Sequence, residues 1–212
     1  MAQELTRGAG VLLAISSLPS PYGIGTLGKE AFRFVDLLVD MKQKYWQVLP
    51  IGPTGFGDSP YQTLSAFAGN PYLIDLDLLV DEKLLKIEEI QCCNWGADNA
   101  SIDYAAMFEN RCAVLRRAYE RFDLSNPDFV WFEAENQEWL DDYALYMTLK
   151  IQQDNKPWQE WPEEIKKKSN RLRLQNAEKS CIMTIGFGDS ANTSSLNNGQ
   201  NSENMQIPEA YN

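Results

Sequence analysis

Apolar positions in the first half of the chain fall into short runs separated by polar, Gly- and Pro-rich loops. Ala9–Ser16 (AGVLLAIS) is one such run, followed by the loop Ser17–Gly28 (SLPSPYGIGTLG). Its length and flanks predict a strand buried on both faces. Lys29–Lys44 (KEAFRFVDLLVDMKQK) changes period: Ala31, Val35 and Leu38, with Phe34 and Met41, recur at helical spacing, and Lys29, Arg33, Asp36, Asp40 and Lys44 keep to other faces. Tyr45–Pro50 (YWQVLP) predicts a second short strand. Strand, helix, strand in this order is a βαβ unit, hence a parallel pair.

The stretch Ile51–Asn70 (IGPTGFGDSPYQTLSAFAGN) has neither period. It mixes Gly, Pro, Asp, Ser and aromatics after the second strand, at the strand end where α/β enzymes build their sites. A long structured connection of this kind is either a site loop or simply a well-packed link. Pro71–Val80 (PYLIDLDLLV) alternates briefly, and a mixed-charge, helix-like run begins at Asp81. Tyr104–Phe122 and Phe129–Gln152 carry apolar residues at three- and four-residue steps and predict helices. In the second, Trp139, Tyr143 and Tyr146 read as an aromatic core seam in preference to a ligand stripe. Asp141 and Asp142 point in different directions on a helix, so they read as a solvated face and not as an acid pair.

Composition narrows the chemistry. The 212 residues are 44% hydrophobic and 23% charged, which are globular proportions. There is no histidine, which removes Ser-His-Asp, Cys-His and His-ligated zinc mechanisms. The four cysteines (Cys92, Cys93, Cys112 and Cys181) form no CxxC pair, so no metal site is expected and a reduced, cytoplasmic setting is. A net charge of -11 disfavours nucleic acid and anionic membrane surfaces as partners. The longest apolar run, Gly10–Ile15, is too short to span a bilayer, and Met1–Arg7 lacks a basic region ahead of a signal-type apolar stretch.

Four stretches carry a specific resemblance: GVLLAISSLPSPYGIGTLG, FRFVDLL, YWQVLPIGPTGFGDSPYQTLSAFAGNPYLIDLDLLV and KPWQEWPEEI. Together they resemble the amino-terminal part of the 4-alpha-glucanotransferases (amylomaltases, glycoside hydrolase family 77), over about Gly8 to Lys168. The resemblance implies an α/β fold, the amino-terminal fragment of a (β/α)8 TIM barrel with an inserted helical subdomain. Residues 1–80 would form the first βαβ part, 81–168 the helical insertion and 169–212 a disordered tail. It also implies α-retaining transfer of 1,4-α-glucan segments between maltooligosaccharides, without a cofactor. Asp58, Ser59 and Tyr61 resemble the family's glucan contacts near the reacting sugar. Phe56 stands at an aromatic position, Tyr in many members, that binds glucan away from the reaction centre. The family's nucleophilic Asp, acid/base Glu and transition-state Asp lie on later strands, and no residue here matches them. The resemblance therefore assigns this chain no catalytic residue, and an inactive fragment or a weak glucan binder without turnover is expected.

Residues 169–212 change character. All six Trp precede Pro162, and beyond Ser169 the chain is rich in Ser and Asn, a composition that cannot bury enough apolar surface to fold alone. Back-translation with each codon started at the third base of the previous one is informative. Glu203–Ile207 then permits KYAN, Phe187-Gly188 and Asn198-Gly199 each permit Trp, and the whole allows FWxxxQYxFFxQWxxLxKYANxxG[IV]. This resembles the family's continuation at the family's spacing. A change of reading frame near Ser169–Phe187 is the expectation that follows.

Overall fold

The computed structural model describes residues 7–98 and 100–166, together with the backbone of 204–206. A small sheet leads. Strand β1 (Gly10–Leu12) pairs in parallel with β2 (Tyr45–Gln47), with Gly10 opposite Tyr45 and Leu12 opposite Gln47. The connection is helix α1 (Lys29–Asp40), so the expected βαβ unit is present. Strand β3 (Asn204–Gln206) pairs antiparallel with the other side of β2. The rest of 169–212, which composition reads as a disordered tail, lies outside the described residues.

Two details of the first strand differ from expectation. It covers three residues instead of Ala9–Ser16, because the chain turns into a 3-10 helix at Ile15–Ser17, closed by the Leu18 N–H on the Ile15 carbonyl. It is also not buried on both faces. The strand order β1-β2-β3 puts β1 at an edge, and Leu12 is exposed. Helix α1 stops at Asp40, short of Lys44, because Lys42 turns into the left-handed region at φ 56°. Its inner face places Ala31 and Leu38 in a core with Ile15, Leu18, Trp46, Val48 and Leu73. Trp46 is the keystone: its ring meets Phe34 edge-on at 4.9 Å, and its indole N–H donates to the Leu13 carbonyl at 2.8 Å.

The alternation read in Pro71–Val80 is a helix start. Pro71–Leu73 is a 3-10 turn capped by the Asn70 side chain, and α2 (Leu76–Asp81) begins one step later. Asp75 caps α2 by accepting from the Leu78 N–H, so its polarity serves a helix end and not a strand face. Leu76 and Leu79 are fully buried beneath α2, each contributing about 1.5–3 kcal/mol. A short helix, α3 (Ile87–Gln91), follows. Two long helices come next: α4 (Tyr104–Glu120), capped by Asp103, and α5 (Pro127–Gln152), capped by Asn126 with Pro127 at its first position. α2, α3 and α4 share one core (Ile74, Leu76, Leu79, Leu85, Ile90, Val114, Leu115, Ala118), and Phe122 joins it to the core of α5.

The aromatic seam of α5 packs as expected. Tyr143 is buried, Trp139 lies against the same cluster, and Tyr146 stacks on Trp161 at 5.6 Å. Asp141 and Asp142 are exposed. The chain closes through a 3-10 turn at Trp158–Glu160 and a last short helix, α6 (Glu163–Lys166). Among the described residues no helix is long and apolar enough to cross a membrane.

Candidate glucan-contact site

Everything in Ile51–Asn70 follows from the end of β2, on the strand side where the β1 loop also leaves. The loop closes on itself as a narrow hairpin. The Asn70 N–H donates to the Ile51 carbonyl at 2.8 Å, the Leu64 N–H to the Pro53 carbonyl at 3.0 Å, and Thr54 bridges Thr63. At the tip the chain makes two left-handed residues in a row, Gly57 at φ 94° and Asp58 at φ 52°. Glycine adopts this freely and aspartate tolerates it. The Asp58 N–H donates to the Gly55 carbonyl and the Gln62 N–H to the Ser59 carbonyl, so the tip is hydrogen-bonded on both arms.

The foot of the loop is anchored into the helices. The Ser65 hydroxyl accepts the Phe67 and Ala68 N–H groups. Ala68 is buried among Phe129, Phe132, Leu140, Tyr143 and Ala144, with Leu64 beside it. Phe67 stacks on Trp139 at 5.6 Å and 27°, and the Trp139 indole N–H donates to Asn136.

The four residues read from the sequence occupy different situations on this loop. Phe56 is fully exposed and Tyr61 is 71% exposed, so two aromatic faces stand in solvent. Asp58 and Ser59, between them in the chain, are half-buried. Burial pushes the Asp58 carboxyl above its ordinary value of 3.8, against a long 3.5 Å bond from the Thr54 hydroxyl. Among the described residues no second carboxylate perturbs it.

Two further residues belong here that sequence reasoning missed. Tyr72, in the turn after the loop, and Tyr104, the first residue of α4, meet with ring centroids 6.4 Å apart. Burial raises Tyr72 to about 12, with neighbouring Cys112 and the Asp58 charge adding to it and Arg111 opposing it. Burial and then the Asp58 charge raise Tyr104. Both phenols therefore sit within the field of Asp58, protonated and able to donate. Neither hydroxyl has a hydrogen-bond partner among the described residues. No sequence signal links them to Asp58, because they arrive from two other elements. The arrangement offers one carboxylate acceptor, phenol and serine hydroxyls, and exposed aromatic faces. Sugar recognition needs that set, since pyranoses present hydroxyls at the rim and C–H groups on the face. Among the described residues no three potential metal ligands cluster.

The loop after β1 is tied to the segment that follows the site loop. The Thr26 hydroxyl donates to Asp75 at 2.5 Å, the Leu27 N–H donates to the Leu73 carbonyl at 2.9 Å, and the Tyr22 phenol donates to Asp77 at 2.6 Å. The loop Ser17–Gly28 is thereby joined to the segment that carries Tyr72.

Known proteins resemble this chain over most of its length. The family model described as 4-alpha-glucanotransferase matches residues 13–194. A 4-alpha-glucanotransferase of Streptococcus pneumoniae is 48% identical over 159 residues, covering 74% of this chain and 32% of the relative. One from Thermus thermophilus is 40% identical over 189 residues, covering 87% and 37%. An amylomaltase from Streptococcus agalactiae, solved in complex with acarbose, superposes with a TM-score of 0.80 at 39% identity, covering 88% of this chain and 39% of that one. The chain thus spans about a third of the length of the curated relatives it matches. With most of its length matched by the family model, the chain belongs to the 4-alpha-glucanotransferase family.

Proposed function

We propose that these residues supply the amino-terminal glucan-contacting part of an enzyme that moves 1,4-α-glucan segments between maltooligosaccharides with retention at the anomeric carbon. The observation that carries this reading is the loop tip: Phe56 and Tyr61 stand exposed on either side of Asp58 in the chain, and the paired Tyr72 and Tyr104 phenols feel the charge of that carboxylate. Asp58 accepts from sugar hydroxyls, Ser59 bonds another, Tyr61 stacks on a pyranose near the reacting sugar, and Phe56 holds glucan farther out. The likeness to an amylomaltase solved with acarbose supports α-glucans as the ligand class.

Retaining transfer proceeds by a double displacement. A carboxylate oxygen bonds to C1 as the C1–O4 bond breaks, and a carboxylic acid delivers its proton to the leaving O4. The acceptor's 4-hydroxyl then bonds to C1, its proton returns to the second carboxylate, and the enzyme–sugar ester breaks. The two carboxyls must stand about 5–5.5 Å apart. Asp58 is the single acid of its loop and has no perturbing carboxylate neighbour among the described residues, so it binds and does not attack. The 212 residues by themselves therefore bind glucan without turning it over, the nucleophile and the acid belonging to later strands of the family's barrel. A shift of reading frame near Ser169–Phe187 is part of the same proposal; the family match in the present frame runs to residue 194, and re-sequencing the gene across codons 165–212 checks where the frame changes.

Incubation with maltotriose decides the catalytic part of the reading, and acarbose titration the binding part. Measurable acarbose binding with no glucose or longer oligosaccharide is expected. Turnover at an ordinary enzymatic rate, abolished by Asp58→Asn, would place the catalytic centre here and overturn the assignment.

A further inference from the structure

Arg111 is fully buried on α4, at 0% exposure. One guanidinium nitrogen, Nη2, donates to the Ile74 carbonyl, while Nε and Nη1 have no partner among the described residues. The surrounding charged and polar groups come from three elements: Asp75 at the start of α2, Tyr72 in the turn before it, and Cys112 on α4 itself. As a device for stability this is poor. A buried guanidinium with two unused donors is disfavoured, and an apolar side chain of similar volume would fill the space without that penalty. Desolvation pulls the group down to about 10, which still leaves it charged at neutral pH.

The position of the group gives it a use. The Ile74 carbonyl it holds is two residues from Tyr72, whose ring meets that of Tyr104 with centroids 6.4 Å apart, and the Asp58 charge acts on both phenols. We propose that Arg111 is a positioning residue for glucan binding: from the helical side it clamps the Asn70–Asp75 segment, and so fixes the Tyr72 phenol beside Tyr104. Arg111 touches no sugar itself; it acts through the backbone at Ile74. The glucan part of this role rests on the function proposed above, whereas the clamp can be tested without any ligand.

The test compares the unmodified chain with Arg111→Met and Arg111→Lys. Amide hydrogen exchange is the first readout. Arg111→Met should speed exchange at Tyr72, Leu73 and Ile74 by about tenfold or more, with Leu13 and the α5 amides unchanged, as expected for a local opening. Arg111→Lys, which keeps a charged donor, should restore most of the protection. Unchanged exchange at these amides, or an equal rise over the whole chain, would overturn the clamp. Acarbose titration is the second readout. Arg111→Met should weaken binding about tenfold, the worth of one positioned hydrogen bond. Combined with Tyr72→Phe it should be no worse than the poorer single variant, since both remove one contact; full additivity would refute the route through Tyr72. If Arg111→Met does not fold, Arg111→Leu, which likewise removes the donor to Ile74, carries the same comparison. Failure of the unmodified chain to bind acarbose would overturn the glucan reading, and the exchange pattern would still decide the clamp.

Discussion

Replacing Gly28 with alanine should destabilise the fold through a residue that is distant in sequence, Asp75. Gly28 caps α1 with φ −120° and ψ −151°, extended backbone that any residue adopts. The methyl group meets no conformational penalty; it meets the Asp75 carboxylate, with the Asp75 Cβ only 2.8 Å away. Asp75 has to move, and it holds two things in place: the α2 cap at the Leu78 N–H and the bond from the Thr26 hydroxyl. A lost N-cap costs about 1 kcal/mol, and a hydrogen bond to a charged acceptor about 1.5–3 kcal/mol. Gly28→Ala should therefore cost about 3 kcal/mol in urea unfolding, and Asp75→Ala a similar amount through the same two contacts. The double variant should cost little more than either single one, a coupling of about 2 kcal/mol or more. Costs below about 0.5 kcal/mol for Gly28→Ala, the usual range for a surface change, would refute the reasoning. Strict additivity of the pair would do so as well.

Glu89 gives a pH signature. Its carboxylate takes both forks of Arg121, at 2.6 and 2.7 Å, and the Lys86 N–H, which together hold it down at about 2. The folded value lies below the ordinary 4.5, so the stabilisation is complete above that value and is lost as pH falls towards about 2. The gap in melting temperature between the unmodified chain and Glu89→Gln should close over that window; a gap independent of pH refutes the assignment. Asp58 has the opposite sign. Its folded value is raised, so it lowers stability once ionised, and Asp58→Asn should melt higher at pH 7 while binding acarbose more weakly. A variant that melts lower would show that the carboxylate is not held at a desolvation cost. Phe56→Ala and Tyr61→Ala should each weaken binding by roughly tenfold, given about 1–1.5 kcal/mol for a stacked face; equal losses of melting temperature would instead mark them as packing residues.

The elements legible in the sequence were those whose period outlasted their ends. α4 and α5 run 17 and 26 residues, and their apolar spacing repeats often enough to fix type and face. The strands are three residues each, too short for a period, and only the flanking loops marked them. The error at Pro71–Val80 has a local cause. Leu73, Ile74, Leu76 and Leu79 are all buried around a bend from 3-10 turn to helix, and the intervening Asp75 imitates the polar step of a strand while acting as a cap. The proposed site was legible in the same uneven way. Phe56, Asp58, Ser59 and Tyr61 share one stretch, so composition and resemblance could find them together. Tyr104 and Arg111 reach the site from a helix, and Arg111 meets Ile74 across 37 residues of sequence. No spacing rule reports a contact of that kind.

Where the loop is held explains why its tip can be bare. Exposed aromatics on an unsupported loop would collapse onto the nearest apolar surface, yet Phe56 and Tyr61 stand free. The hairpin bonds at Pro53–Leu64 and Ile51–Asn70 close the neck. Ala68 and the Phe67–Trp139 stack fasten the foot to α5, and Arg111 fastens the segment beyond it to α4. Between these anchors the consecutive left-handed residues Gly57 and Asp58 turn the tip outward, and the Gly55 carbonyl fixes that turn. The loop is thus largely ordered in advance, which under the function proposed above is the condition for a few stacked rings and hydroxyls to bind sugar usefully. The helices between Tyr104 and Gln152 thus serve the site twice, as a core that carries the loop and as the source of Tyr104 and Arg111. Removing them should abolish glucan binding even in a chain that keeps the whole of Ile51–Asn70.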